Sequence, residues 1–382
     1  MNLLEHTSPQ SILYFILYGG AATLCVVLCL YLLLSRVNVI SPGTMPPVRL
    51  RRWAAAFYAA GALGHAWWFL LYLYFRDNQL VYGTDYSPGH VMGEVLDCVS
   101  LLITLAGTLL AMLQDRRRPV WPVAVASIPI AVLGVLQMAF PTRQFLVPAL
   151  VYSLVAYVAF TVYMVFAIRQ YGRWLLDNYA DLEHKEVWLS LALLIGLMVL
   201  LMSFEYTDNY MMSTIAHLIG FPLAGLLLWR VETLPQLDET AEYEDDILPE
   251  AETISEPLPV SDALSHIGRL LGKHCEDTQL YLQPDLTLTQ LSAAVGVNHY
   301  YLSQYFASQD TSYYAYIHDL RVRHFIARYR ELAAAHKPIV AQQLAQESGY
   351  HSYSTFSTAF KQRMHKSVTA WMREEGLSIP SQ

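Results

Sequence analysis

Apolar residues crowd into the first 230 positions in long unbroken runs; beyond that point they recur in small groups at helical spacing. A helix that crosses a bilayer needs about 20 mostly apolar residues. Seven stretches meet that need: Ser11–Ser35, Trp53–Phe75, Val91–Leu113, Val120–Phe140, Phe145–Ile168, Val187–Phe204 and Tyr210–Trp229. The fourth holds Pro122 and Pro129, and the sixth is short. Trp53, Tyr72, Tyr74, Trp121, Trp188 and Trp229 lie near the ends of these runs, where amphipathic rings settle at a membrane interface.

Positive charge orients such a bundle. The first connection carries Arg36, Arg49, Arg51 and Arg52, the third Arg116, Arg117 and Arg118, and the fifth Arg169, Arg173 and Lys185. The second and fourth carry only Arg76 and Arg143, and the sixth carries none. Odd connections are therefore expected in the cytoplasm. The N-terminus falls outside and the C-terminus inside.

Residues 231–260 hold 10 acidic residues and no Lys or Arg, together with Pro235, Pro249, Pro257 and Pro259. Uncompensated charge and proline both oppose packing, so this strip reads as a solvated linker. The domain organisation expected is a transmembrane part over 1–230, the linker over 231–260 and a soluble domain over 261–382.

Within the soluble domain one pattern occurs twice. Leu288, Leu291 and Val295 mark a short helix, Gly296 supplies a tight turn, Asn298 is placed to cap a second helix, and Leu302 and Phe306 pack inward. Ile339, Leu344, Ala345 and Ser348 then lead to Gly349, followed by Ser352 as cap and Phe356 and Phe360 as inward residues. Between them Tyr313–Leu332 reads as one long helix bearing Arg321, Arg323, Arg328 and Arg330. Helix, glycine turn and capped helix is the helix-turn-helix arrangement.

Two such units on one connecting helix resemble the AraC/XylS family of bacterial transcription regulators. The resemblance is carried by Leu286-Thr-Leu288, Leu291-Ser-Ala-Ala-Val-Gly296, Tyr301-Leu-Ser303, Leu320-Arg321, Leu344-Ala345, Glu347-Ser-Gly-Tyr350, Ser352-Tyr-Ser354, Phe356 and Phe360-Lys361, over roughly residues 280–373. It implies double-stranded DNA as partner, read by two recognition helices in successive major grooves. The residues expected at DNA are Asn298, His299, Tyr300, Ser303 and Gln304 in the first unit and Ser352, Tyr353, Ser354, Ser357, Thr358 and Lys361 in the second. The chain departs from the family where glycine usually ends each unit, near Asp310 and at His365. Val368 stands for the family's proline, and Thr358 for a basic residue.

Composition fits this division. Apolar residues make up 54% and charged residues only 15%, and the mean hydropathy is +0.30. The four cysteines, Cys25, Cys29, Cys98 and Cys275, form neither a disulfide framework nor a metal knuckle. No cleavable signal peptide is expected, and no HExxH, P-loop or GxSxG motif is present. No cofactor or metal is expected. Ionisable groups inside a bilayer are costly and are usually paired or functional. His65, Glu94, Asp97, Glu205 and His217 lie in or at the ends of spans, and they form the candidate sensing cluster for an unknown ligand, proton or membrane signal. Interhelical hydrogen bonding is the structural alternative.

The fold class expected is all-α: a seven-helix transmembrane bundle plus a cytoplasmic helical domain with two helix-turn-helix units joined by a long helix. The function expected is a one-component transcription regulator in the bacterial cytoplasmic membrane, in contact with lipid and able to homodimerise. Two alternatives stay open. One is an intramembrane enzyme or transporter with a regulatory C-terminal domain, and the other is a membrane scaffold whose C-terminal helices bind protein.

Overall fold

The computed structural model of the chain describes residues 9–77, 88–140, 144–182, 185–190, 192–193, 195–196, 210–237 and 260–378. Among them the regular elements are helical, with no β-strand. The chain divides into two bodies. The first comprises Met1–Tyr171 and Val187–Asp238, and the second Gly172–Glu186 and Glu239–Gln382.

In the first body α1 (Pro9–Leu34), α2 (Val48–Asp77), α3 (Pro88–Met112), α4 (Trp121–Ala139), α5 (Leu146–Asn178) and α6 (Tyr210–Thr233) correspond to six of the seven expected spans. All six are long and apolar enough to cross a membrane. The expected sixth span, Val187–Phe204, lies for the most part outside the described residues, as do Glu205 and most of the acidic linker. Pro122 sits in the first turn of α4, where a missing N–H is harmless, while Pro129 lies inside it. Helix α5 runs ten residues beyond its expected end at Ile168, reaching Asn178.

Close helix packing in the bundle depends on small residues. A Cβ on Gly107 of α3 would lie 2.2 Å from the Trp53 ring of α2, so only glycine admits that contact. Along α5, by contrast, Val147, Val151, Val155, Val158, Val162 and Phe166 are each at least half exposed. A stripe of that kind marks a surface that a bilayer or an apolar partner covers.

The residues that leave α6 are held to earlier connections of the same body. Glu232 is buried, 3.2 Å from Arg51 Nε, and accepts a hydrogen bond from the Tyr31 hydroxyl at 3.1 Å. Asn38 donates to the Glu232 carbonyl at 2.7 Å. Gln114 donates to the Pro235 carbonyl and accepts from the Leu237 amide, each at 2.9 Å.

The second body contains α7 (Val260–Leu271), α8 (Leu288–Val295), α9 (His299–Ser308), α10 (Tyr313–Ala334), α11 (Ala341–Glu347), α12 (Tyr353–Met364) and α13 (Val368–Ser378). It has two apolar cores, one per helix-turn-helix unit, and α10 contributes to both. Its first half puts Tyr313, Ile317 and Leu320 among Leu288, Leu291, Leu302 and Phe306. Its second half puts Val322, Phe325 and Tyr329 among Leu344, Phe356, Phe360 and Trp371. The connecting helix is thus a shared wall.

Three residues lock the two cores together. Arg321 is fully buried. It donates to the carbonyls of Tyr281 at 2.7 Å, Gln283 at 2.6 Å and Pro284 at 3.2 Å, and its cation faces the Tyr350 ring at 5.5 Å. Gly349 adopts φ +88°, and a Cβ there would meet the Leu282 backbone oxygen at 2.8 Å, so the second turn abuts the first unit directly. His318 bonds the Tyr350 hydroxyl through Nδ1 and the Ala180 carbonyl through Nε2, each at 2.9 Å. A carbonyl can only accept, so Nε2 carries the proton and Nδ1 accepts from Tyr350 in the neutral ring.

Burial, with the nearby positive Arg321, pushes the His318 pKa down to about 3. In the unfolded chain a histidine titrates near 6.5. Between those values the unfolded state binds a proton that the folded state refuses. The stabilisation is therefore complete above about pH 6.5 and is lost as pH falls through that window. We expect the second body to lose stability between about pH 6.5 and about pH 3, and His318→Gln to flatten that slope. Amide exchange in Tyr313–Ala334 of the full chain, followed against pH, measures this. Equal slopes for parent and variant would remove His318 as the source.

Candidate nucleic-acid interface

Each recognition helix is set by local chemistry. In the first unit Thr287 caps α8 in a reciprocal box: its hydroxyl accepts from the Gln290 amide at 3.2 Å, and the Gln290 side chain accepts from the Thr287 amide at 3.0 Å. Gly296 ends α8 at φ +73°, a left-handed conformation that favours glycine. Asn298 then caps α9, its side chain accepting from the Tyr300 amide at 2.7 Å. In the second unit Ser352 caps α12 by accepting from the Thr355 amide at 3.2 Å. The expected capping residues, Asn298 and Ser352, both cap.

The expected reading residues divide by exposure. Tyr300 and Gln304 are exposed on α9, and Ser354, Thr358 and Lys361 on α12. Asn298, His299, Ser303, Ser352, Tyr353 and Ser357 are half-buried. Gln304 donates to the Tyr300 hydroxyl at 2.7 Å, which orients its amide along the helix. Tyr300 and Tyr301 are 59% and 60% exposed, and rings so open on a helix offer flat contact area. On α12, Ser357, Thr358, Lys361 and Gln362 line a shallow depression, and Thr358 also donates to the Ser354 carbonyl at 3.1 Å.

The left-handed turns explain two departures from the family pattern. Asp310 has φ 50° and His365 has φ 55°. The family usually has glycine near the first of these positions and at the second, and here an L-residue holds the left-handed conformation. Val368 opens α13, where proline would also fit.

The connecting-helix arginines are mostly engaged within the domain. Arg321 is a packing element and not a surface cation. Arg323 pairs with Asp319 at 2.7 Å, Arg328 with Glu331 at 2.6 Å and Arg330 with Glu375 at 2.6 Å. Arg363 of α12 also reaches Asp319, at 2.5 Å. Cys275 is buried, and burial followed by the charge of Glu276 pushes its thiol up to about 12, so it stays protonated and inert as a nucleophile.

In the first body the candidate sensing residues separate into two settings. His65 and His217 come together, ring centroids 5.7 Å apart, with Tyr18 at 4.8 Å from His65 and Tyr14 at 5.7 Å from His217. His65 Nδ1 also lies 2.7 Å from the Gly61 carbonyl. Asp97 instead accepts from Trp68 Nε1 at 2.6 Å, and Glu94 pairs with His90 at 3.4 Å, one turn away on its own helix. Glu205 lies outside the described residues.

Reasoning from sequence missed residues that pack against the first unit: Asn178 meets His299, and Ala180 accepts from His318. Asn178 and Ala180 belong to the second body, and no periodicity or motif marks them. The burial of Arg321 did leave a trace: it lies four residues from both Ile317 and Phe325, on the apolar face of α10.

Comparison with known families bears directly on this geometry. The model of the helix-turn-helix domain family matches residues 291–374. No curated protein matches the chain, and no solved structure does. The matched span runs from inside α8 to α13 and takes in both capped helices and the shared α10. Residues 291–374 therefore carry a DNA-binding helix-turn-helix domain of the AraC type, the kind found in transcription regulators.

Proposed function

We propose that this chain is a membrane-bound one-component transcription regulator, with the helical bundle as its sensor and the helix-turn-helix domain as its output. One observation carries the reading. Two capped helices with exposed polar and tyrosine side chains are fixed to one shared wall, in a chain that also carries six long apolar helices. Rigid spacing of two reading heads is what successive major grooves require. The outward stripe on α5 supports a bilayer setting, and the arginine-rich odd connections support a cytoplasmic output domain. The bacterial cytoplasmic membrane with the N-terminus outside is the topology that follows. Pairing of two chains on repeated half-sites is the natural way for such a domain to gain affinity.

The bases are read from α9 and α12. His299, Tyr300, Ser303 and Gln304 serve the first half-site, and Tyr353, Ser354, Ser357, Thr358 and Lys361 the second. Asn298 and Ser352 cap these helices and place backbone N–H groups toward phosphate. Glutamine can hold adenine through two hydrogen bonds. Signal enters through the His65–His217 ring cluster, where two imidazoles and two tyrosines meet between α1, α2 and α6.

Three outcomes test the proposal. Duplexes selected from a random pool by the full-length protein in detergent should share a motif, and Gln304→Ala should relax one position by about 1–3 kcal/mol. A preference unchanged at every base removes Gln304 from the reading set. A reporter active only outside the cell should be active when fused after Asp208 and silent after Glu256; the reverse pair would put the output domain on the wrong side for DNA. Finally, His217→Ala should alter the response of a bound promoter to external pH or candidate ligands, at matched protein level. A response identical to the parent under every condition would make the ring cluster purely structural.

A further inference from the structure

Helix α5 does not end where its apolar run ends. From Gly172 onward its residues belong to the second body, and the chain continues through Glu186 before it rejoins the first. We propose that Gly172–Glu186 is a built-in ligand of the DNA-binding domain that competes with DNA for the first recognition helix. The proposal rests on the DNA-binding reading above and adds its regulation.

The segment is seated by specific contacts. Ala180 is buried in the core of the first unit with Ile267, Leu286 and Ile317. Its amide donates to the Leu286 carbonyl at 3.3 Å, and its carbonyl accepts from His318. Tyr179 forms an antiparallel bridge with Thr287, the residue that caps α8. Trp174 stacks edgewise on Tyr179, and the Lys185 ammonium lies 5.6 Å over the same ring.

It also occupies a reading residue. Asn178 donates its amide nitrogen to the Trp174 carbonyl at 2.8 Å, which turns its oxygen outward. That oxygen accepts from His299 Nε2 at 2.9 Å. The more distal ring nitrogen of the first residue of α9 is therefore engaged by protein. Charge adds to the effect. Asp177 is exposed on the segment, and Asp181 gathers with Asp285 and His351, their ligand atoms all within 4.8 Å of one another. His351 directly precedes the Ser352 cap of α12. The Asp181 and Asp285 carboxylates beside the start of α12 repel phosphate. DNA therefore meets a first recognition helix that is blocked at His299, and carboxylates beside the second, until the segment lifts. Because the segment is the covalent continuation of the fifth span and leads directly to the sixth, a change in either span acts on it without passing through the acidic linker.

The test uses the full-length chain in detergent micelles and a short duplex enriched by that protein from a random pool. Asn178→Ala should bind the duplex about fivefold more tightly, because the competing contact is weakened. Asp177→Asn, an exposed change that spares the fold, should also tighten binding, and more so at low salt. In the parent, adding duplex should speed amide exchange over residues 177–182 while Tyr313–Ala334 stays protected. Unchanged or weaker binding by both variants overturns the proposal, as does a segment that stays protected in the DNA complex, which would make it a fixed part of the domain. If parent and variants alike retain no duplex, the DNA-binding reading fails as well. Duplex retained at unchanged affinity defeats the competition alone.

Discussion

A buried guanidinium holds the helix-turn-helix domain in one piece. Removing an arginine from water costs several kcal/mol unless its donors are satisfied. Arg321 recovers that cost with three backbone carbonyls of the Tyr281–Pro284 loop and the face of the Tyr350 ring. The loop belongs to the first helix-turn-helix unit and the ring to the turn of the second, so neither can rotate without stranding the charge. Gly349 against the Leu282 carbonyl closes the same joint by shape. A purely apolar joint between two small cores would tolerate sliding. A charged one with directional partners does not, and the spacing of α9 and α12 depends on that rigidity.

Local chemistry made much of this legible beforehand. Glycine turns, cap residues and apolar spacing are short-range signals, and Asn298, Gly296, Ser352 and Gly349 do in the fold what their residue types require. Asp310 and His365 flagged themselves as replacements for glycine, and both take the left-handed conformation. The end of α5 was not legible, because apolarity reports the surrounding solvent and not the helix. Arg169, Gln170, Arg173 and Asp177 are compatible with a helix yet look like a loop when only hydropathy is read. The pairing of Asn178 with His299 spans 121 positions and depends on how the segment folds back, which no local pattern encodes.

The ionisable residues of the long apolar helices teach a related lesson. Sequence grouped His65, Glu94, Asp97, Glu205 and His217 because each is costly in a bilayer, and cost alone does not name a partner. Partners depend on the rotation of each helix about its axis. Asp97 took the indole of Trp68, Glu94 took His90 one turn away, and His65 with His217 joined two tyrosines. Each found the nearest donor or ring, which is what a poorly solvated interior rewards.

Residues 172–186 are closed at both ends by chain that belongs to the first body. A ligand joined to its receptor in this way is present at a fixed effective concentration, on the order of millimolar for a short connection. Adding more copies of the protein to a cell does not change it. Occupancy of the first recognition helix would then be the same in a cell with few copies as in one with many. Expression level would set how many regulators there are, and only the state of the adjoining helices would set what fraction of them is free to read.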